Sequence, residues 1–597
     1  MNKINKKYKR AFIVSIITMG LILGSCEKYL DKAPESSITD KDVFGNFVSF
    51  QGFVEELYNC VVNYPQSEYF SHYLMADETL YSTPLSFDQG NYWDQVKLFY
   101  SDTWGTDISP IDKRIWPLCW YGIRKANIAI SKLDLMTQGT QEQKDIIKGQ
   151  ALFFRGWFYF ELMRYWGGMP YIDQVLPADA ELNLPRLNYR ETALLAAKDF
   201  KDAAALLPVN WDDTETGKAT LGNNRQRISK VMALAYEGKD LLFAASPMMN
   251  KESTGNASYD ASLCDSSAVA FAQALSICDQ TGVYKLQTWD TWTDNFWVWS
   301  PGNTLMSGGT EAIMNSPVFF YLSVRYNQVM QTIPPLMGGG NGTVEVPTNN
   351  YIKNYGMANG LPIDDPLSGY DPNDPWANRE PRFYKDIIVD GDQLVATNAA
   401  GDDQFAQLYT GGRHRVGSQG SVTGYFYKRF SPLGCNQWEN LYANFQAYIP
   451  FMRLADVYLM YAEAVLQGYG TPSSSVTGSI TAEQAVNIIR TRAQLPNLTS
   501  SYTATKDVFM EAIIRERAVE LAFEGQRFCD LRRWNLSGET KYTEKTALDF
   551  DRGPDGKPIN IHERVVITRV AGQQQNWLPI QTKFTQIYPG FPQNPGW

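Results

Sequence analysis

From Ile147 the apolar side chains recur at Ala151, Phe154, Phe158, Leu162 and Tyr165. Steps of three and four place them along one face of a helix, which Gly167-Gly168 and Pro170 stop. Trp116, Trp120, Ile123, Ile130 and Leu133 predict a second helix. Ala193, Ala197, Phe200, Ala204 and Leu207 predict a third, ended by Pro208. A fourth runs from about Ser229 to Ala245, where Ser246-Pro247 interrupts the pattern. The periodicity returns after Pro450, with Leu454, Val457, Tyr458, Tyr461 and Val465 on one face. Thr481 with Gln484 reads as a capping box opening the next helix. Met510, Ile513, Ile514, Ala518 and Leu521 mark the last long one, ended by Gly525.

The middle differs. Between about 250 and 450 the chain is rich in Gly, Pro, Asn and Asp, as in Pro334-Pro335, Gly338-Gly339-Gly340-Asn341-Gly342 and Asp371-Pro372-Asn373-Asp374-Pro375. These are turn signals with short strands between them, such as Phe383 to Val389. The tail from Trp577 is irregular and Pro-rich. The pattern therefore predicts one mainly α domain, with a helical scaffold at about 40–250 and 450–540. A loop-rich insertion with short strands fills about 250–450, and such segments usually carry binding residues. The paired helices suggest tetratricopeptide-type hairpins, although no 34-residue signature repeats cleanly.

The first residues form a separate unit. Lys3, Lys6, Lys7, Lys9 and Arg10 precede an apolar run from Ala11 to Leu23. That run is too short to span a bilayer, which takes roughly 20 residues. A basic head, a short apolar core and small residues make a secretory signal, here residues 1–25. It ends in Leu23-Gly24-Ser25-Cys26, similar to a bacterial lipobox, with Cys26 as the acylation point. Acyl chains on Cys26 would hold the mature chain, residues 26–597, to a membrane without threading it through. No other stretch reads as long and apolar enough to cross.

Net charge is −10, and loss of the five basic residues ahead of Cys26 makes the mature chain more acidic still. Such a chain is a poor nucleic-acid binder, because phosphate contacts need clustered Lys and Arg. Three histidines, no HExxH and no Cys–His cluster argue against a zinc site. No GxSxG elbow or GxxxxGK[ST] loop occurs, and no carboxylate pair stands out for glycoside hydrolysis. No catalytic residue, metal or cofactor is therefore expected. Asp371 to Asp374 reads as an ordinary turn rather than a calcium loop, since Arg382 stands at the twelfth position. Besides Cys26 there are Cys60, Cys119, Cys264, Cys278, Cys435 and Cys529, with no CxxC pair. They could form up to three disulfides or sit buried as small hydrophobes.

Several segments in order along the chain resemble the SusD/RagB family of outer-membrane lipoproteins. They are Trp116-Pro-Leu-Cys-Trp-Tyr-Gly-Ile-Arg-Lys-Ala-Asn127 and Lys148-Gly-Gln-Ala-Leu-Phe-Phe-Arg-Gly-Trp-Phe-Tyr-Phe160, running into Arg164-Tyr-Trp-Gly-Gly-Met-Pro170. Then come Met357-Ala-Asn-Gly-Leu-Pro-Ile363 with Asn378-Arg-Glu-Pro-Arg-Phe383, and Arg453-Leu-Ala-Asp-Val-Tyr-Leu-Met-Tyr-Ala-Glu463. Glu516-Arg-Ala-Val-Glu-Leu-Ala-Phe-Glu-Gly-Gln-Arg527 and the closing Gln593-Asn-Pro-Gly-Trp597 complete the set. The resemblance implies a tetratricopeptide-like scaffold and a place on the outer membrane. It also implies capture of oligosaccharide or polysaccharide, delivered without catalysis to a SusC-like TonB-dependent transporter. A peptide-binding lid of the RagB type and a purely structural subunit of the transporter are the alternatives. Arg155, Arg164, Glu463, Glu516, Arg517, Glu520 and Arg527 lie among apolar helix residues and read as buried, paired charges.

The chain has 16 Trp, 34 Tyr and 30 Phe, more than a core alone needs. Sugar rings present apolar C–H faces and polar edges, so a site wants exposed aromatic planes beside amides and guanidinium groups. Asn91, Tyr92, Trp93 and Trp104, with Asp88 and Gln89 near, offer one such cluster. Tyr321, Arg325 and Tyr326, flanked by Phe319, Phe320, Asn327 and Gln328, offer a second, and Gln437-Trp438 a third. Trp289, Trp292 and Phe296 sit at helical spacing and read as core, while Trp297 and Trp299 alternate like a half-buried strand.

Overall fold

The structure is a computed structural model. It describes residues 38–61, 75–81, 86–93, 114–181, 183–299, 310–315, 345–416, 420–439, 445–447, 449–587 and 590–597. The long helices are α1 (Phe47–Asn59), α2 (Ile115–Ser131), α3 (Gln141–Trp166), α4 (Tyr189–Leu206), α5 (Lys230–Ala245) and α6 (Ala261–Thr281). After the loop-rich part follow α7 (Leu454–Tyr469), α8 (Ala482–Arg492), α9 (Lys506–Glu520) and α10 (Arg527–Arg533). From α2 to α7 each packs beside the next, and α8 and α9 pack on α7. This is the expected scaffold of helix pairs.

Local chemistry sets the boundaries. Thr140 with Gln143, Asn188 with Glu191 and Thr481 with Gln484 form complete capping boxes at α3, α4 and α8. Gly282 and Gly470 take left-handed conformations just past α6 and α7, where a side chain would be strained. α3 is buried along nearly its whole length from Ile146, because α2 and α4 cover opposite sides of it. Its periodicity marks a single face, and the structure buries the rest as well.

Neighbouring helices approach closely where one side lacks a side chain. A Cβ on Gly122 of α2 would lie 2.2 Å from the Phe158 ring of α3, and one on Gly238 of α5 would lie 2.7 Å from Phe271 of α6. Phe158 is fully buried and has nowhere to move. Gly122→Ala is therefore expected to destabilise by about 1–3 kcal/mol through overpacking. A chemical-denaturation midpoint equal to wild type would contradict this.

Three expectations about the middle need correction. α6 lies inside the stretch read as loops, and Ser267 Oγ donates to Gly238 O at 2.7 Å to bind it to α5. α6 is also long and apolar enough to cross a membrane, but it is largely buried within the fold. The stretch read as a strand from Phe383 is first a helix, Pro381–Asp386, because Pro381 suits a first helical turn. Only Ile387–Ile388 is strand.

The described strands pair two by two, all antiparallel: β1 (Thr79–Tyr81) with β4 (Glu345–Pro347), and β2 (Trp297–Trp299) with β7 (Phe445–Ala447). β3 (Ala312–Asn315) pairs with β8 (Pro450–Arg453), and β5 (Ile387–Ile388) with β6 (Phe426–Tyr427). The long hairpin of β9 (Glu544–Arg552) and β10 (Pro558–Thr568) was not expected. Among the described residues two main apolar cores result, with a small third cluster around Trp534. The larger lies under the helices; the second, with Trp292, Phe296, Tyr355, Phe383, Phe426 and Phe523, lies under the loop-rich part.

Candidate functional site

The loop-rich part is fastened to the scaffold by charge. Arg453, at the end of β8, is fully buried. Its Nη1 donates to Glu311 and to Glu520, both at 2.6 Å, and its Nε donates to Glu524 at 2.9 Å. Arg492 from α8 also meets Glu311 and Glu520. Arg382 donates to Glu380, Glu516 and Glu520, and Arg429 to Asp386 and Glu524. Burial alone would raise the Glu520 carboxyl, but Arg492, Arg453 and Arg382 hold it well below its ordinary range. Arg155 with Asp199, Arg164 with Glu161, Arg517 with Asp456 and Asp530, Arg533 with Glu463, and Arg527 with Asp77 are likewise buried pairs. The charged helix residues singled out in the sequence are thus structural.

This network also aims the aromatic segment before β2. Gln287 N and Asn295 Nδ2 both donate to Glu311, and Trp292 Nε1 donates to Glu520 at 3.4 Å. Arg429 lies over the Trp292 and Phe296 rings at 4.8 and 4.6 Å. Trp292 and Phe296 are core, as their spacing predicts, within a short 3-10 turn rather than an α-helix. Fixed in this way, the segment runs into β2. Trp297 packs against the second core, and Trp299 lies edge-on to it at 6.1 Å with 40 % of its surface exposed.

The loop carrying Trp438 passes beside Trp299. Gly434, at φ +96°, comes within 3.9 Å of the Trp299 indole when a Cβ is built on it. Buried Asn436 then makes a tight turn, its Oδ1 accepting from Trp438 N at 2.9 Å and Glu439 N at 3.0 Å. Trp438 is half-buried against the second core.

The other described cluster rests on the C-terminal region. Asp88 is buried against Lys545 at 2.8 Å and accepts Val570 N on its backbone oxygen. Gly90 takes φ +78° where Val570 and Gln575 crowd it. From this anchored turn Asn91 and Trp93 emerge exposed, and Asn91 Oδ1 accepts Trp93 N at 3.2 Å. Trp93 is 39 % exposed and stands edge-on to Trp597 at 6.0 Å. Tyr92 corrects its expectation: it is 2 % exposed and stacked on Phe87 at 3.8 Å, so its ring serves packing. Trp104, Tyr321, Arg325, Tyr326 and Cys26 lie outside the described residues. Trp299 is an exposed aromatic whose alternating spacing reads as half-buried; it and Trp297 are the two ends of the three-residue β2, and 40 % of the Trp299 surface stays open.

A sequence model of the "SusD family" matches residues 310–597, and one described as "Starch-binding associating with outer membrane" matches 28–235. A SusD-like protein, P2, of Formosa agariphila is 23 % identical over 561 residues, covering 89 % of this chain and 92 % of that protein. The fold matches that of a SusD-like protein from Bacteroides fragilis with TM-score 0.68 at 22 % identity, over 95 % of this chain and all of that one. A SusD-like carbohydrate-binding protein from the same species matches at 0.64 and 18 %, over 92 % and 100 %. The two matched models between them take in most of the chain and agree on one conclusion: the chain belongs to the SusD family.

Proposed function

We propose that this chain is a lipid-anchored protein of the outer cell surface that binds an oligosaccharide or polysaccharide and passes it uncut to a SusC-like TonB-dependent transporter. The observation that carries the reading is the pair of exposed indoles, Trp299 and Trp93, on loops held by buried ionic and backbone anchors. A rigid exposed indole offers an apolar face to the C–H side of a sugar ring at little entropic cost. Asn91 lies on the Trp93 turn, and Gln437 on the loop that passes beside Trp299, as amides for the hydroxyls. The description of the N-terminal family model and the carbohydrate-binding Bacteroides fragilis relative support the ligand class. The signal and lipobox read from residues 1–26 support the anchor.

Calorimetric titration against plant, host and microbial glycans tests this, with each glycan examined for cleavage afterwards. The expected result is binding of an intact glycan, weakened by Trp299→Ala about tenfold, the equivalent of some 1.4 kcal/mol. Peptide binding with no glycan bound would overturn the ligand class, and cleavage would overturn the role.

A further inference from the structure

The surface around Trp299 is poor in charge. Residues 297–309 and 431–449 contain β2, β7 and the turn that passes Trp299. Between them they hold a single Asp, Glu, Lys or Arg, against a share of 20 % in the whole chain. That one is Glu439. Residues 436–446 carry five Asn or Gln instead. Cations of the loop-rich part are engaged elsewhere: Lys385 lies over the Trp289 ring at 4.5 Å, Arg429 binds Asp386 and Glu524, and Lys428 faces Asp392 at 4.0 Å. Among the described residues no lysine or arginine lies over the rings of Trp297, Trp299 or Trp438.

Glu439 is held as a carboxylate. Its Oε1 accepts Thr397 N at 2.5 Å and its Oε2 accepts Asn436 Nδ2 at 2.9 Å. Burial opposes its ionisation, but the bonds from Asn436 and from the Ala396 and Thr397 amides hold it below its ordinary value. The side chain is half-exposed, next to Trp438 and two residues after exposed Gln437.

We propose that this face selects neutral glycans and turns away chains that carry carboxylate or sulfate groups. The inference rests on the glycan reading above and narrows it. Amides both donate and accept, as sugar hydroxyls do, so they suit an uncharged chain whose ring lies on the Trp299 indole. A uronate or sulfate ester would come beside Glu439 with no guanidinium or ammonium to meet it, and a charge taken from water without a partner is costly. The net charge of −10 adds repulsion at longer range.

The full chain is titrated calorimetrically with xyloglucan, arabinoxylan, galactomannan, amylopectin and laminarin, beside polygalacturonate, alginate and chondroitin sulfate. At least one neutral polysaccharide should bind and lose affinity in Trp299→Ala, and no anionic one should bind through Trp299. The neutral polysaccharide that binds is then partly oxidised, so that primary alcohols become carboxylates. The oxidised form should bind at least about tenfold more weakly, and added salt should narrow that gap. Glu439→Gln keeps an acceptor for Thr397 N and removes the charge, so it should also narrow the gap, about threefold or more. Equal or tighter binding of the oxidised form, an anionic polysaccharide bound through Trp299, or a gap that neither salt nor Glu439→Gln moves would each overturn the selectivity. No polysaccharide bound, or neutral binding indifferent to Trp299→Ala, would overturn the glycan reading of this face and the selectivity with it.

Discussion

Replacing Arg453 by Met should cost about 3–5 kcal/mol of folding stability, the penalty for stranding buried partner charges. One guanidinium here serves Glu311, Glu520 and Glu524 from two distant parts of the chain. Methionine fills much of the volume and supplies none of the charge. The pH dependence follows from linkage. Burial opposes ionisation of Glu311 and Glu520, but Arg492 and Arg453 win and hold both below their ordinary value of 4.5. Such groups contribute stability above that value, and the contribution is lost as pH falls through the lowered folded value. Without Arg453 the balance shifts toward the protonated acids, so the variant's deficit should shrink between pH 7 and pH 5. Urea unfolding of both proteins at the two pH values measures it. A deficit below about 1 kcal/mol at pH 7 would mean the hub is replaceable by packing alone.

Glu78 should show the opposite dependence. It is fully buried at the start of β1, where Oε2 accepts Phe523 N at 3.1 Å and Oε1 has no partner among the described residues. Burial, with the neighbouring charge of Asp77, raises its carboxyl from 4.5 to about 8. A carboxyl raised in the folded state binds its proton more tightly there than in the unfolded chain. Its contribution is therefore whole below pH 4.5 and is lost progressively as pH rises toward 8. Between pH 5 and 8 the loss should reach roughly 3 kcal/mol, at about 1.4 kcal/mol per unit. Glu78→Gln mimics the neutral acid and should flatten that slope. Stability profiles of wild type and variant that run parallel from pH 5 to 8 would show that Glu78 is ionised throughout.

The long amphipathic helices were legible because each buries a face continuous along the sequence, as with Phe154, Phe158 and Leu162 of α3. α6 was not, for a physical reason. It buries Leu263, Phe271 and Leu275, but Ser267, Ala268, Ala272 and Ala274 between them are small, and the helix sits next to a Gly- and Asn-rich stretch that reads as loop. The β9–β10 hairpin did carry a signal, Asp555-Gly556, whose Gly takes φ +81° at the turn. The strands around it show no clean inward–outward alternation, since β9 is buried in a run and β10 is mostly exposed. Burial of Arg517 and Glu520 followed from their apolar surroundings; their partners did not, since Asp456 and Arg382 are distant in sequence. At the candidate site, composition located the Asn91–Trp93 loop but could not tell Tyr92 from Trp93. Which of two adjacent rings turns inward depends on Phe87, and therefore on the folded turn.

The six cysteines outside the signal region are all unpaired and buried. Burial raises the thiols of Cys60 and Cys278 to about 12, so they stay protonated and sluggish toward electrophiles. No covalent cross-link among them holds the chain together, and noncovalent packing alone keeps each sulfur out of reach. They stand at separated posts: Cys60 after α1, Cys119 in α2, Cys264 and Cys278 in α6, Cys435 in the Trp438 loop and Cys529 in α10. A local opening thus uncovers its own nucleophile, or in α6 a pair of them. The molecule is wired with internal alarms, and the order in which alkylation reaches them would chart which part yields first.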